Sequence, residues 1–352
     1  MTRILISGYT GLGNFILKTP VIKALKVYFP NSDIDIIAGN GYGTEFVLDN
    51  SNLVNKIYLL KESSSIIEKL KFFYKIRKNS YDVLLLPFDS NKRFLFFGSY
   101  LSGIKQRLIH VNVQSLKKIF FFSMMPNNLL VPLLPGRHEI DLNFDLLEAL
   151  VDGPIIRNKT TFISIENDIT LLDRFKLTPH DYVVLQIGAA NGSVSAKKWP
   201  ASNFVSLIEK LSFRFPQLKI VTVGDTGDYE NDIKPILELG LPIVNTAGHT
   251  SIGEVASLLS YSRLVIAHDS GIMHMANALS CTLIALYGPT DFTRTRPLGT
   301  NSTVLYSKTE CFCKMYNFKG NEQELQKLYP GCMDGITVDG VFEEVKRILH
   351  GE

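Results

Sequence analysis

The run Gly188-Ala189-Ala190-Asn191-Gly192-Ser193-Val194-Ser195-Ala196-Lys197-Lys198-Trp199-Pro200 gathers small residues, hydroxyls and a lysine ahead of an expected helix from about Ala201. Those residue types suit a phosphate cradle. Lys197 neutralises charge while the hydroxyls of Ser193 and Ser195 and the backbone amides donate hydrogen bonds. The plainer reading is an exposed loop anchored by the chain's only tryptophan. A second run, His268-Asp269-Ser270-Gly271-Ile272-Met273-His274, opens a helix expected over His274 to Leu279. Asp269 and Ser270 are ordinary N-cap residues. With Gly271 next and His274 one turn later, the free amides of a helix start also suit a pyrophosphate. A third run, Ser7-Gly8-Tyr9-Thr10-Gly11-Leu12-Gly13-Asn14, has three glycines that permit a tight turn close to a ligand. Its order is Gly-x-x-Gly-x-Gly, whereas a dinucleotide fingerprint requires Gly-x-Gly-x-x-Gly, which argues against nicotinamide binding.

Each run follows an expected strand. Arg3 to Ser7 precedes the glycine turn and a helix from about Asn14 to Phe29, stopped by Pro30-Asn31. Asp33 to Ala38 alternates as a strand does, and Tyr81 to Pro87 is a continuous apolar run of the kind buried on both faces. Later strand candidates are Tyr182 to Ile187, Lys219 to Val223, Ile243 to Thr246, Arg263 to Ala267 and Thr282 to Tyr287. Strands alternating with helices predict parallel sheets, so the chain reads as α/β with two doubly wound, Rossmann-like domains, residues 1–160 and 161–352. Arg157 to Thr160 is the expected linker, and the last helix, about Val338 to Leu349, is free to return to the first domain. In such folds ligands bind at the carboxyl ends of the strands, here in an expected central cleft.

With 352 residues and 45% hydrophobic content the chain can bury two cores. No export signal or apolar run of membrane-spanning length is evident, so a cytoplasmic protein is expected. Between Lys69 and Arg137 twelve cations stand against Asp82 and Asp89, interleaved with aromatics as in Lys71-Phe72-Phe73-Tyr74-Lys75. Amphipathic helices with basic solvated faces explain any one segment. The whole stretch suits an anionic acceptor, or peripheral contact with the inner membrane surface, with no nucleic acid implied. Four cysteines predict no disulfide framework in a reducing compartment. Cys311, Cys313 and Cys332 fit the usual zinc templates poorly, so neither metal nor cofactor is expected. The Asp33-x-Asp35 pair sits in an alternating strand, where both acids are expected to be solvated.

Gly11 to Pro20, Ser195 to Pro200, Asp269 to His274 and Tyr287-Gly288-Pro289-Thr290 together resemble glycosyltransferase family 9, the bacterial lipopolysaccharide heptosyltransferases. They span nearly the whole chain in the family's order. The resemblance implies a GT-B fold and inverting, metal-independent transfer from a sugar nucleotide such as ADP-heptose to a hydroxyl of a lipopolysaccharide core or other surface glycan. It places Gly11, Gly13, Ser193, Ser195, Lys197, Asp269, Ser270, Gly271 and His274 around the donor, with Lys197 on phosphate. In Gly224-Asp225-Thr226-Gly227-Asp228 it implies Asp228 as the ribose ligand. Where the family carries an aspartate that serves as acceptor base, this chain has Asn14, whose amide cannot take a proton. Asp89, in Pro87-Phe88-Asp89-Ser90, is the alternative base, or else the cap of the following helix. Another sugar nucleotide, a protein acceptor, or nucleotide-sugar binding without catalysis remain open on these residues. Oligomeric state is not legible.

Overall fold

The computed structural model describes residues 2–39, 43–48, 51–90, 92–112, 120, 122–188, 195–308 and 331–350. Two compact units divide the chain, Met1–Ile165 and Glu166–Glu352. The first contains β1 (Arg3–Gly8), β2 (Asp33–Ala38), β3 (Lys56–Leu59), β4 (Val83–Leu86), β5 (Gln106–Asn112) and β6 (Asn128–Leu133). They form one parallel sheet in the order β3-β2-β1-β4-β5-β6. β1 and β4 lie at its centre, and their apolar residues Ile4, Leu5, Leu84 and Leu86 are all buried. This explains the continuous apolar run from Val83 to Leu86, since a strand covered on both faces has no solvated side to alternate with.

The helix expected from Asn14 to Phe29 is two helices, α1 (Leu12–Ile16) and α2 (Thr19–Tyr28). Pro20 lies in the first turn of α2, where its missing N–H costs nothing, but it cannot continue a helix arriving from α1. The unit also carries α3 (Ile66–Ile76), α4 (Arg93–Leu101) and α5 (Glu139–Val151). α3 presses Phe73 against Gly98 of α4 so closely that a Cβ at Gly98 would lie 2.2 Å from the ring. Arg157, expected in a linker, is tied down on α5. Its guanidinium donates to the Asp141 carbonyl at 3.0 Å and pairs with Asp145 at 2.8 Å. The Asp33-x-Asp35 expectation is corrected for one acid. β2 lies inside the sheet, so Asp35 is buried and accepts a short hydrogen bond from the Tyr81 hydroxyl, while burial raises its pKa.

The second unit repeats the topology with β7 (Tyr182–Leu185), β8 (Lys219–Thr222), β9 (Ile243–Asn245), β10 (Leu264–His268), β11 (Leu283–Tyr287) and β12 (Ser302–Tyr306). Their order is β12-β11-β10-β7-β8-β9. Around this parallel sheet stand α6 (Ala201–Arg214), α7 (Thr226–Asp228), α8 (Ile252–Ser260), α9 (Gly271–Ala278) and α10 (Val338–His350). The last helix, whose packing the sequence left open, puts its apolar face in this unit's own core. Val341, Val345 and Leu349 join Leu207 and Leu211 in this unit's core, and Lys210 reaches Asp339 at 3.1 Å. The expectation of no disulfide is also corrected. Cys332, which is buried, is disulfide-bonded.

In each unit the first strand is central and the chain winds to one edge, then returns to build the other. The winding reverses between β1 and β4, and again between β7 and β10. Loops leaving the carboxyl ends of such neighbouring strands part to opposite faces and leave a crevice, where open α/β sheets bind ligands.

Candidate functional site

In the second unit the candidates collect at the β7/β10 reversal. β10 ends at His268, and the next residues are Asp269 and Ser270. Ser270 is the N-cap of α9. Its hydroxyl accepts weakly from the Met273 amide at 3.4 Å and donates to Gln186 Oε1, just past β7, at 2.7 Å. One side chain thus fixes the start of α9 to the neighbouring strand. Asp269 does not cap. Buried, it takes the Lys197 ammonium at 3.3 Å, the Thr295 hydroxyl at 3.4 Å and His274 Nε2 at 3.7 Å. Burial alone raises its pKa, but Lys197 and His274 outweigh that and hold the carboxylate well below its usual range. It is therefore ionised at any physiological pH.

Lys197 closes a short 3₁₀ turn, Ser195–Lys197. Two hydrogen bonds from Trp199 lock the turn in place. Its amide donates to His268 Nε2 at 2.9 Å and its indole donates to the Ile336 carbonyl at 2.7 Å. The tryptophan is thus a packing anchor, and the partly exposed Lys197 turns its ammonium to Asp269. His268 must accept from that amide, and burial pushes its pKa down to about 4. Lys197, a partly exposed cation, also reaches the Asp269 carbonyl at 3.4 Å, one residue before the N-cap of α9, whose first amides carry the positive end of the helix dipole. Ser193 and the side chain of Ser195 lie outside the described residues, as do Cys311 and Cys313. Among the described residues no cluster of three potential metal ligands occurs.

Asp228 lies at the end of α7, in a reciprocal box with the N-cap Asp225. Its amide donates to Asp225 Oδ1 at 2.8 Å, and its Oδ2 accepts from the Asp225 amide at 3.1 Å. Gly188 and Gly224, just past β7 and β8, crowd the same carboxylate, and a Cβ on Gly188 would stand 2.2 Å from Oδ1. Burial raises the pKa of Asp228.

The first unit has its own cluster at the β1/β4 reversal. Gly11 is the N-cap of α1, Gly13 is buried, and Asn14 is half-buried on that helix. Asp89 does not cap α4, whose N-cap is Lys92. It forms a short ion pair with Lys18, and both side chains are buried. The same ammonium reaches the Asn14 carbonyl at 3.5 Å. Ser7 Oγ donates to the Ser90 carbonyl at 2.6 Å and Ser90 Oγ to the Ser7 carbonyl at 2.9 Å, zipping β1 to the loop that bears Asp89. His110, on β5, accepts from the Phe88 amide at 3.1 Å, and burial pushes its pKa down to about 4. Lys18 and His110 were missed by sequence reasoning. Lys18 follows Asn14 by four residues, but its partner is 71 residues away and no local pattern reports it.

Two successive doubly wound parallel units, each with a topological switch point, define a GT-B architecture. Residues 122–323 match the model of glycosyltransferase family 9 (heptosyltransferase), and the chain belongs to that family. It is 27% identical over 319 residues to lipooligosaccharide heptosyltransferase 2 of Haemophilus influenzae, covering 86% of this chain and 88% of that protein. Among solved structures, a family 9 glycosyl transferase from Veillonella parvula superposes with a TM-score of 0.81 at 20% identity, covering 100% of this chain and 98% of that one. The ADP-heptose LPS heptosyltransferase II of Escherichia coli superposes with a TM-score of 0.73 at 23% identity, covering 99% of both chains.

Proposed function

We propose that this chain transfers a heptose from ADP-heptose to a hydroxyl of a lipopolysaccharide core, with inversion and without a metal ion. The observation that carries the reading is the convergence of Lys197, Asp269 and His274 at the start of α9. Lys197 and the first amides of α9 take the diphosphate, and Asp269 holds Lys197 and accepts from the sugar hydroxyls. Asp228 binds the ribose diol. As the acceptor oxygen bonds to the anomeric carbon, the bond from that carbon to the diphosphate breaks. Negative charge then grows on the departing ADP, against a cation and dipoles already in place. The acceptor proton goes to Asp89, which its ion pair with Lys18 orients. Asp89 Oδ1 is buried with no hydrogen-bond partner among the described residues, a vacancy that a hydroxyl donor fills. Asn14 hydrogen-bonds the acceptor without taking its proton. A membrane-borne anionic glycolipid suits the basic character of the first unit, and no helix among the described residues is long and apolar enough to cross a membrane.

Calorimetric titration with ADP, GDP, UDP and dTDP, followed by a transfer assay from ADP-heptose in excess EDTA, tests the reading. ADP is expected to be selected, EDTA to leave the rate unchanged, and Lys197→Ala to lower kcat by about 10²-fold or more while the protein still melts as wild type. Wild-type turnover in Lys197→Ala, or selection of another nucleotide, overturns it.

A further inference from the structure

α3 is apolar on two sides. One side is used in the first unit's core, where Phe73 and Ile76 are buried. The other stands in water, with Ile66, Ile67, Leu70 and Tyr74 exposed by 77%, 65%, 47% and 71%. At about 100° per residue these four fall in an arc of about 100°. Lys71, Lys75 and Lys78, all exposed, run along one edge of that arc. The helix has one acid, Glu68, and its carboxylate is engaged in the capping box with Ser65. Beside α3, α4 leaves Phe97 and Leu101 48% and 47% exposed. Single exposed apolar residues are ordinary on a folded surface, whereas a strip of four edged by lysines is not.

We infer that this face of α3 docks on the surface of an anionic phospholipid bilayer, its apolar strip entering the interface while the lysines meet the head groups. A second copy of the same face would set lysine against lysine, whereas anionic head groups complement them. The inference deepens the proposed function, since it rests on a membrane-borne acceptor, but the donor site does not depend on it.

Co-sedimentation with phosphatidylcholine vesicles, with and without phosphatidylglycerol, is the test. Wild type is expected to bind only when phosphatidylglycerol is present. Leu70→Glu/Tyr74→Glu is expected to bind at least tenfold less tightly, and Lys71→Ala/Lys75→Ala about fivefold less tightly per lysine removed. Both variants should keep wild-type ADP affinity and wild-type turnover on a water-soluble acceptor fragment. No sedimentation of wild type, undiminished binding by either variant, or conversion of a dimer to a monomer by Leu70→Glu/Tyr74→Glu overturns the inference. Failure of the functional reading is registered separately, as absence of transfer to the soluble fragment.

Discussion

The ion pair between Lys18 and Asp89 is the least expected feature at the scale of single residues, because two buried charges are costly unless each is the other's partner. Removing one leaves the other stranded, at a cost of about 3–5 kcal/mol, a large share of any domain's stability. A plain Asp89→Asn variant therefore confounds folding with chemistry. Lys18→Met/Asp89→Asn removes both charges and should fold near wild-type stability. If Asp89 takes the acceptor proton, this double variant will lose about 10²-fold or more in kcat while its affinity for ADP, which we propose binds on the other unit, is unchanged. Stable folding with wild-type turnover would leave the pair a brace for the Asn14 turn and nothing more. Lys197 and Asp269 contrast with this pair. Both were singled out as candidates from their types and their place after strands, and the structure pairs them at 3.3 Å.

At the scale of elements, the strands were legible wherever their apolar runs were long. β1, β2, β4, β7, β8, β9, β10 and β11 were anticipated to within two residues at either end. β3, with the pattern Lys-Ile-Tyr-Leu, and β12, Ser-Thr-Val-Leu-Tyr, were not, because a run of only three apolar residues does not tell a strand from a loop, and β5 and β6 were not anticipated either. The break between α1 and α2 was missed because the apolar period runs through it. Only Pro20 marks the restart. Nor did any local pattern show that Gly188 and Gly224 are glycines for the sake of Asp228, a residue far along the chain from the first of them. That packing yields a prediction. Gly188→Ala places a Cβ 2.2 Å from Asp228 Oδ1, so the carboxylate must swing away or β7 must shift. If Asp228 holds the ribose, nucleotide affinity will fall about tenfold, with kcat at saturation little changed, since the contact is the same in ground and transition states. Calorimetry with ADP beside a steady-state assay separates the two effects, and unaltered ADP affinity would remove Asp228 from the donor site.

Across the whole molecule, both switch points stand over a buried neutral histidine, His110 in the first unit and His268 in the second. Each accepts a backbone N–H from a loop that carries site residues, Phe88 in one case and Trp199 in the other. Burial depresses both pKa values to about 4, against about 6.5 in an unfolded chain. Between those values the unfolded state binds more protons than the folded one, so stability rises with pH. The contribution is complete above about pH 6.5 and drains away as pH falls toward about 4, by up to about 3 kcal/mol per histidine. Because one histidine belongs to each unit, the loss reaches both cores even if they melt separately. Thermal melting from pH 7.5 down to 4.5 should show midpoints falling by on the order of 10 °C. His268→Gln keeps an acceptor for the Trp199 amide but binds no proton, so the second unit's transition should flatten over the same range whatever its starting midpoint. A wild-type midpoint that does not move between pH 7 and 5 would mean that these rings are hydrated or already charged, and that the loops over the two switch points are held by other contacts.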